Sequence, residues 1–262
     1  MSIRVGIGGW TFEPWRDGVF FPKGLSHDKE LHYASRKLTA IEVNGTYYSG
    51  FKPPTFAKWR DETPDGFVLT LKASRFCTNR KVLAEAGESV QRFVNQGISE
   101  LGDKLGPILW QFMATKKFEP EDFSAFLKLL PSSQDGIALR HAIEVRHESF
   151  QVPEFVEMAR KAGVALVFAD SSKYPTLADV TGDFVYARLE DAKAEVETGY
   201  TASELDRWAK AAKSWAAGHS PEGLAYVAPL PPASGARDVF VFMINGAKER
   251  APAAAMGLIA RL

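Results

Sequence analysis

The sequence predicts an α/β fold, a TIM (β/α)8 barrel, and three observations carry that expectation. Eight short apolar runs, each too brief for a stable helix, are bounded by glycine, proline or polar residues. Segments with helical spacing lie between most of them, the pattern of parallel strands joined by helical crossovers. The length of 262 residues suits such a barrel as a single domain over 1–262, and no linker divides it. An open doubly wound sheet would need a glycine-rich phosphate loop after the first strand. Gly6-Ile7-Gly8-Gly9-Trp10-Thr11 lacks the third glycine of that fingerprint.

In order, the strands read IRVGIGG from Ile3, TAIEVNGTYY from Thr39, FVLTLKA from Phe67, PILWQF from Pro107, HAIEV from His141, ALVFAD from Ala165, FVYARL from Phe184 and DVFVFMIN from Asp238. The intervening helices are expected in KELHYASRKL, VLAEAGESVQRFVNQGISEL, EPEDFSAFLKLL, PEFVEMARKAG, TASELDRWAKAAKSWAAG and APAAAMGLIARL. Thr201 with Glu204 forms a capping box, and Gly163 and Gly218 are helix-ending glycines. Trp208 and Trp215, seven apart, make a core-facing stripe. The interval SSKYPTLADVTGD is too turn-rich for a helix, so the barrel is expected to be irregular after strand six, and APLPPAS from Ala228 reads as a surface loop.

Composition narrows the function. Apolar residues make up 45% and charged residues 24%, the balance of a globular chain with a sizeable core. Lysine and arginine (32) equal aspartate and glutamate (32), so no excess charge points to nucleic acid or a membrane surface. Cys77 is the only cysteine, which leaves neither a disulfide nor a cysteine-based metal site. MSIRVGIGGW resembles no signal peptide and no stretch reaches the length of a membrane span, so a cytoplasmic, non-membrane protein is expected.

In a parallel barrel, alternate residues of each strand face the lumen and the functional face lies at the C-terminal strand ends. Alternation places Glu42 and Asn44 there from strand two, Lys72 from strand three and Gln111 from strand four. Strand five gives Glu144 and Arg146, strand six Asp170, strand seven Arg188 and strand eight Asn245. Strand one contributes Gly6, Gly8 and Gly9, where backbone can approach a ligand closely. Glu144, Asp170 and Glu42 are the candidate acid and base groups. Lys72, Arg146 and Arg188 suit a phosphate or carboxylate. Trp10 and Tyr48 head a set of rim aromatics in the loops after strands one and two, placed to stack on a ring or to pack the rim. Three cations beside three acids argue against a metal site, and no cofactor is expected.

Several of these stretches together resemble one family. GIGGWTF, IEVNGTYY, LTLKASRFCTN, LGDKLGPILWQF, IEVRHESF, FADSS and YARLE, in this order, resemble the YecE-like family, also called DUF72. The resemblance spans nearly the whole chain and implies a TIM barrel without implying an established activity. It highlights Gly9, Trp10, Glu42, Asn44, Thr46, Tyr48, Lys72, Gln111, Glu144, Arg146, His147, Asp170 and Arg188. Asn79 and Glu190-Asp191 stand where the family commonly carries histidines, which weakens any mechanism resting on those histidines.

Three functions remain open from the sequence. The first is an enzyme, of hydrolase or lyase type, acting on a small anionic substrate at the barrel mouth. The second is a phosphodiester-binding protein or nuclease, disfavoured by the neutral net charge. The third is a non-catalytic ligand-binding or scaffold protein whose polar ring is a structural ion-pair network. Oligomeric state is left open.

Overall fold

The computed structural model describes residues 2–231 and 235–262. Met1 and residues 232–234, the end of the APLPPAS stretch, lie outside the described residues. Eight parallel strands close into a barrel: β1 (Ile3–Gly8), β2 (Ala40–Val43), β3 (Val68–Lys72), β4 (Leu105–Gln111), β5 (His141–Glu144), β6 (Ala165–Asp170), β7 (Phe184–Leu189) and β8 (Asp238–Met243). Neighbours in sequence are neighbours in the sheet, and β1 pairs with both β2 and β8 to complete the ring. Each strand starts within two residues of its predicted start.

The alternation of each strand divides two cores. Leu109, Val167, Phe184, Tyr186, Phe240 and Phe242 fill the lumen. Ile41, Leu71, Trp110, Ile143, Phe168 and Val241 face outward into the layer under the helices. Gly6 is required by closure of the sheet rather than by a ligand. A Cβ there would lie 2.0 Å from the Ala40 carbonyl oxygen, on the neighbouring strand. At the N-terminal end of the barrel, Arg140 pairs with Asp238 at 3.1 Å, and its guanidinium lies 5.2 Å from the ring centroids of Phe184 and Phe240.

The connections follow the expected pattern except for an unpredicted helix at Pro53–Glu62 between β2 and β3, a broken helix before β4 and a small hairpin before β5. No helix joins β6 to β7, as the turn-rich sequence predicts. The stretch expected as one long helix from Val82 is broken into 3-10 turns at Leu83–Ala86 and Ile98–Lys104 around a helix at Gly87–Val94. Gly97 in left-handed backbone (φ 103°) separates the last two. A small antiparallel ladder, Ser133–Gln134 with Ile137–Ala138, turns on Asp135-Gly136, both at positive φ, a hairpin signal absent from the predicted elements.

The helix Ala202–Ala216 carries the expected cap in both directions: Glu204 N donates to Thr201 Oγ1 and Thr201 N donates to the Glu204 carboxylate. Trp208 and Trp215 of that helix pack on Phe168 at 5.6 and 5.4 Å. Thr201→Ala is expected to lower stability by about 1 kcal/mol, a drop of roughly 2–4 °C in melting temperature. An unchanged melting curve would show that Glu204 alone holds that helix end.

Candidate functional site

The polar ring forms where the strand alternation places it on β2, β3, β4, β5 and β7. Arg188 is its centre. Buried to 2% exposure, Arg188 lies among three carboxylates. Its Nε and Nη2 each donate to Glu42 at 3.1 Å, while its Nη1 donates to Glu144 at 2.6 Å and to Glu190 at 3.0 Å. Such bidentate geometry is what a planar guanidinium offers and a lysine does not. Its pKa rises: burial alone would lower it, but Glu144, Glu42 and Glu190 together outweigh burial.

Each carboxylate has further partners. Tyr186 Oη donates to Glu42 at 2.8 Å and shares a 3.0 Å hydrogen bond with Thr70, which ties β2, β3 and β7 across the lumen. Gln111 Nε2 donates to both Glu144 oxygens at 2.8 and 2.9 Å, and Arg146 Nε donates to Glu144 at 2.6 Å. Burial by itself would raise the Glu144 pKa. Arg188, Arg146 and Gln111 overcome it and hold the carboxyl at about 2. Glu190 shifts the other way: burial, reinforced by Glu144, keeps it above the usual carboxylate range against Arg188, Arg146 and a hydrogen bond with Asn245. The two acids are therefore pushed apart, Glu144 towards a fixed charge and Glu190 towards holding a proton.

Two cations beside this ring have no anionic partner. The Lys72 ammonium sits 4.3 Å from the Tyr47 ring centroid and makes no hydrogen bond or ion pair among the described residues. Burial, and then Arg188, bring its pKa down to about 8 against Glu42 and Glu144. Lys248 lies 4.6 Å from the Phe12 ring centroid and 5.6 Å from that of Trp15, again with no side-chain hydrogen bond or ion pair among the described residues. Burial lowers its pKa too, with Glu42 opposing. Trp15 Nε1 donates to the Lys248 carbonyl and fixes that loop on the rim.

Several sequence-predicted positions fall elsewhere. Asp170 does not face the lumen. On β6 the inward residues are Ala165 and Val167, and Asp170 shares the outward side with Phe168. Burial raises its pKa, and its charged neighbours are Asp191, Arg207, Glu204 and Glu190. Tyr48 is 63% exposed, because the chain leaves β2 at Val43 and winds Gly45–Tyr48 into a helical turn instead of continuing the strand. That turn swings Tyr47 over Lys72 and sends Tyr48 to a neighbouring cleft with Phe51 and Phe76. Trp10 packs edge-on against Trp59 at 5.4 Å, as part of the rim. Asn245 has the outward alternation of β8 but lies beyond its end, and so reaches Glu190. Asn44 places its amide against Gly8, where a Cβ would meet Asn44 Nδ2 at 2.9 Å.

Sequence reading missed Glu190, Tyr186 and Lys248 as members of the site. Tyr186, Arg188 and Glu190 alternate along β7, so the alternation that found Arg188 also contained its neighbours. Lys248 carried no such signal, because it follows the strand end through a turn at Gly246. Asn79, at one departure from the family pattern, donates to Tyr47 Oη at 3.0 Å and so braces the ring over Lys72. The histidines stay outside the ring. His141 accepts from Trp110 Nε1, and His147 caps the turn Glu148–Phe150. Cys77 is buried and its thiol is pushed up to about 12. Among the described residues no group of three or more His, Cys, Asp or Glu side chains is placed to hold a metal ion, and no helix is long and apolar enough to cross a membrane.

A closed parallel barrel with a charged cluster at the C-terminal strand ends defines a TIM-barrel protein with its candidate site at the face where such barrels carry function. The chain belongs to the family described as "Protein of unknown function DUF72", which it matches over residues 4–262. It is 27% identical over 152 residues to the UPF0759 protein YecE of Escherichia coli K12, a match covering 56% of this chain and 50% of that protein. The chain thus matches about half the length of the curated relatives. Over the full fold it is similar to a DUF72 family protein of Thermotoga maritima, with a TM-score of 0.75 and 22% identity, covering 99% of this chain and 98% of the other. A DUF72 family protein of Enterococcus faecalis gives a TM-score of 0.70 at 18% identity, covering 99% and 94%.

Proposed function

We propose that the barrel mouth binds a small anionic substrate, phosphorylated or carboxylated, and that the protein is an enzyme acting on it. The observation that carries this reading is the pair of lysines, Lys72 and Lys248, desolvated at the rim without an anionic partner, while the three acids of the ring are engaged by Arg188. A half-buried ammonium without a counter-ion is costly, and a bound anion offsets that cost. Four cations, Lys72, Lys248, Arg146 and Arg188, face the three carboxylates Glu42, Glu144 and Glu190, which favours an incoming negative charge. Within this reading Glu144 and Glu42 act as fixed anchors for Arg188 and Arg146. Glu190 is the proton donor and Lys72 the basic group.

Thermal denaturation with inorganic phosphate, sugar phosphates and small carboxylates tests it. A ligand at about a hundred times its dissociation constant adds roughly 2.7 kcal/mol. Lys248→Gln is expected to lose most of that stabilisation while keeping the wild-type far-UV circular dichroism. No stabilisation of the wild type by any phosphate or carboxylate would sink the proposal.

A second reading, a nucleic-acid backbone laid across the mouth, draws on a cleft of about 530 Å³ that includes Arg80, Lys81, Lys116 and Lys117. It is the weaker of the two, because Arg80 already donates to backbone carbonyls and Lys116 pairs with Asp122 at 2.8 Å. Its mark is oligonucleotide affinity that falls steeply as salt rises. Absence of binding at low salt removes it.

A further inference from the structure

The geometry points to a specific role for Lys72: we propose that its amine captures the carbonyl carbon of an aldehyde or ketone that also bears a phosphate or carboxylate, forming a Schiff base at the barrel mouth. The inference rests on the anion-binding reading above and adds the substrate class.

Placement is the first support. Lys72 ends β3 on the lumen side, 9% exposed, with the ring of Tyr47 against its ammonium and no acid paired to it. An ordinary buried lysine would be paired, and a phosphate-gripping lysine needs no such burial. Lys104 in this same chain illustrates the paired case: it is buried and donates to the carbonyls of Arg60 and Thr63 at 2.7 and 2.6 Å. Lys72 is held in place by backbone instead, since Thr46 Oγ1 donates to its carbonyl at 2.7 Å. Its amine is left against the Tyr47 ring with no hydrogen-bond or ion-pair partner among the described residues.

The charged groups around it supply the second support. Arg188 and Arg146 disfavour the ammonium, Glu42 and Glu144 favour it, and burial exceeds each of them, giving about 8. At pH 7 roughly one such amine in ten is unprotonated, against fewer than about one in a thousand for an ordinary lysine. A desolvated lysine beside other cations is a recognised way to make an amine nucleophilic. Lys248 and Arg146 remain to hold the anionic end.

The step balances without any oxidant or reductant. The Lys72 nitrogen lone pair forms the bond to the carbonyl carbon, and the C=O electron pair moves to oxygen, which takes up a proton. The nitrogen then gives up one proton. The carbinolamine hydroxyl takes a second proton and leaves as water while the C=N bond forms. Overall, amine, carbonyl and one proton give a protonated imine and water. Glu190, whose pKa burial and then Glu144 push above the usual carboxylate range, is the proton donor assigned within the cluster.

The test uses pyridoxal 5′-phosphate, an aldehyde bearing a phosphate, with borohydride reduction and peptide mass spectrometry on the intact protein. At pH 7 the reduced adduct is expected at Lys72 at least about tenfold faster than at the exposed Lys52, with inorganic phosphate slowing it. Lys72→Arg should lose that adduct yet retain much of the heat stabilisation by phosphate. Stabilisation by phosphate together with adducts spread over exposed lysines, Lys72 no faster than Lys52, overturns the Schiff-base role and leaves the anion site standing. Neither adduct nor stabilisation overturns both.

Discussion

Arg188→Met is expected to destabilise the protein by at least about 3–5 kcal/mol, a fall of roughly 6–20 °C in melting temperature at pH 7. The cause is what the substitution leaves behind. Glu42 would keep only Tyr186, Glu144 would keep Gln111 and Arg146, and Glu190 would keep Asn245 with Arg146 at 3.7 Å. Three buried acids would then repel one another without the cation that joins them. Arg188→Lys should rescue little, since a point charge cannot serve three acids from one planar group. The pH dependence gives the matching signature. Glu144 is held at about 2 in the wild type, below its ordinary 4.5, so its contribution is present above about pH 4.5 and is lost as pH falls towards 2. Without Arg188 that lowering weakens, so the deficit of the variant should shrink as the solution is acidified. Circular dichroism melts at pH 7 and about pH 3 measure both effects. A loss below about 1 kcal/mol at pH 7 would show that the acids release their charge or find water at little cost.

The same cluster explains why so much of the site was legible in the sequence and why part of it was not. Strand alternation is a property of covalent geometry, so IEV, LTLK and IEVR state their inward residues without knowledge of the fold. Glu42, Lys72, Gln111, Glu144, Arg146 and Arg188 all follow from it. The failures have separate causes. Alternation is expected to bring Asp170 to the lumen, but the phase of its strand is the opposite one, with Ala165 and Val167 inward and Phe168 and Asp170 outward. Tyr48 is expected among the rim aromatics of the loop after β2, and there the chain turns into a short helix that puts Tyr47 rather than Tyr48 beside the site. Lys248 sits beyond a left-handed Gly246, and no periodicity carries through such a turn. Glu190 continues the alternation of β7 one residue beyond Leu189, yet at a position where the family commonly carries a histidine its role as an acid is not evident from the sequence. The fold was more legible than the site because eight repeats of one pattern reinforce each other, whereas each rim residue depends on a single loop.

Lys72→Met should separate function from stability more sharply than any other single change. An ordinary lysine titrates near 10.5, and Lys72 does so near 8 in the folded protein. The folded state therefore carries a cost that is fully present below pH 8 and vanishes as pH rises through 10.5. In that window the unfolded chain binds more protons, so wild-type stability climbs with pH. The shift corresponds to about 3 kcal/mol at neutral pH, an upper bound because methionine also forgoes the contact of the ammonium with Tyr47. Methionine fills similar space without charge, so the ligand-free variant is expected to melt several degrees above the wild type at pH 7, with the gap closing towards pH 10. Phosphate affinity should fall at least about tenfold, the value of one charge-assisted hydrogen bond. A variant that melts lower and binds phosphate normally would make Lys72 a structural cation and remove it from the site. Higher stability with lost binding would instead identify the cost of Lys72 as one retained for a ligand, because a chain selected for stability alone has a simpler residue available at this position.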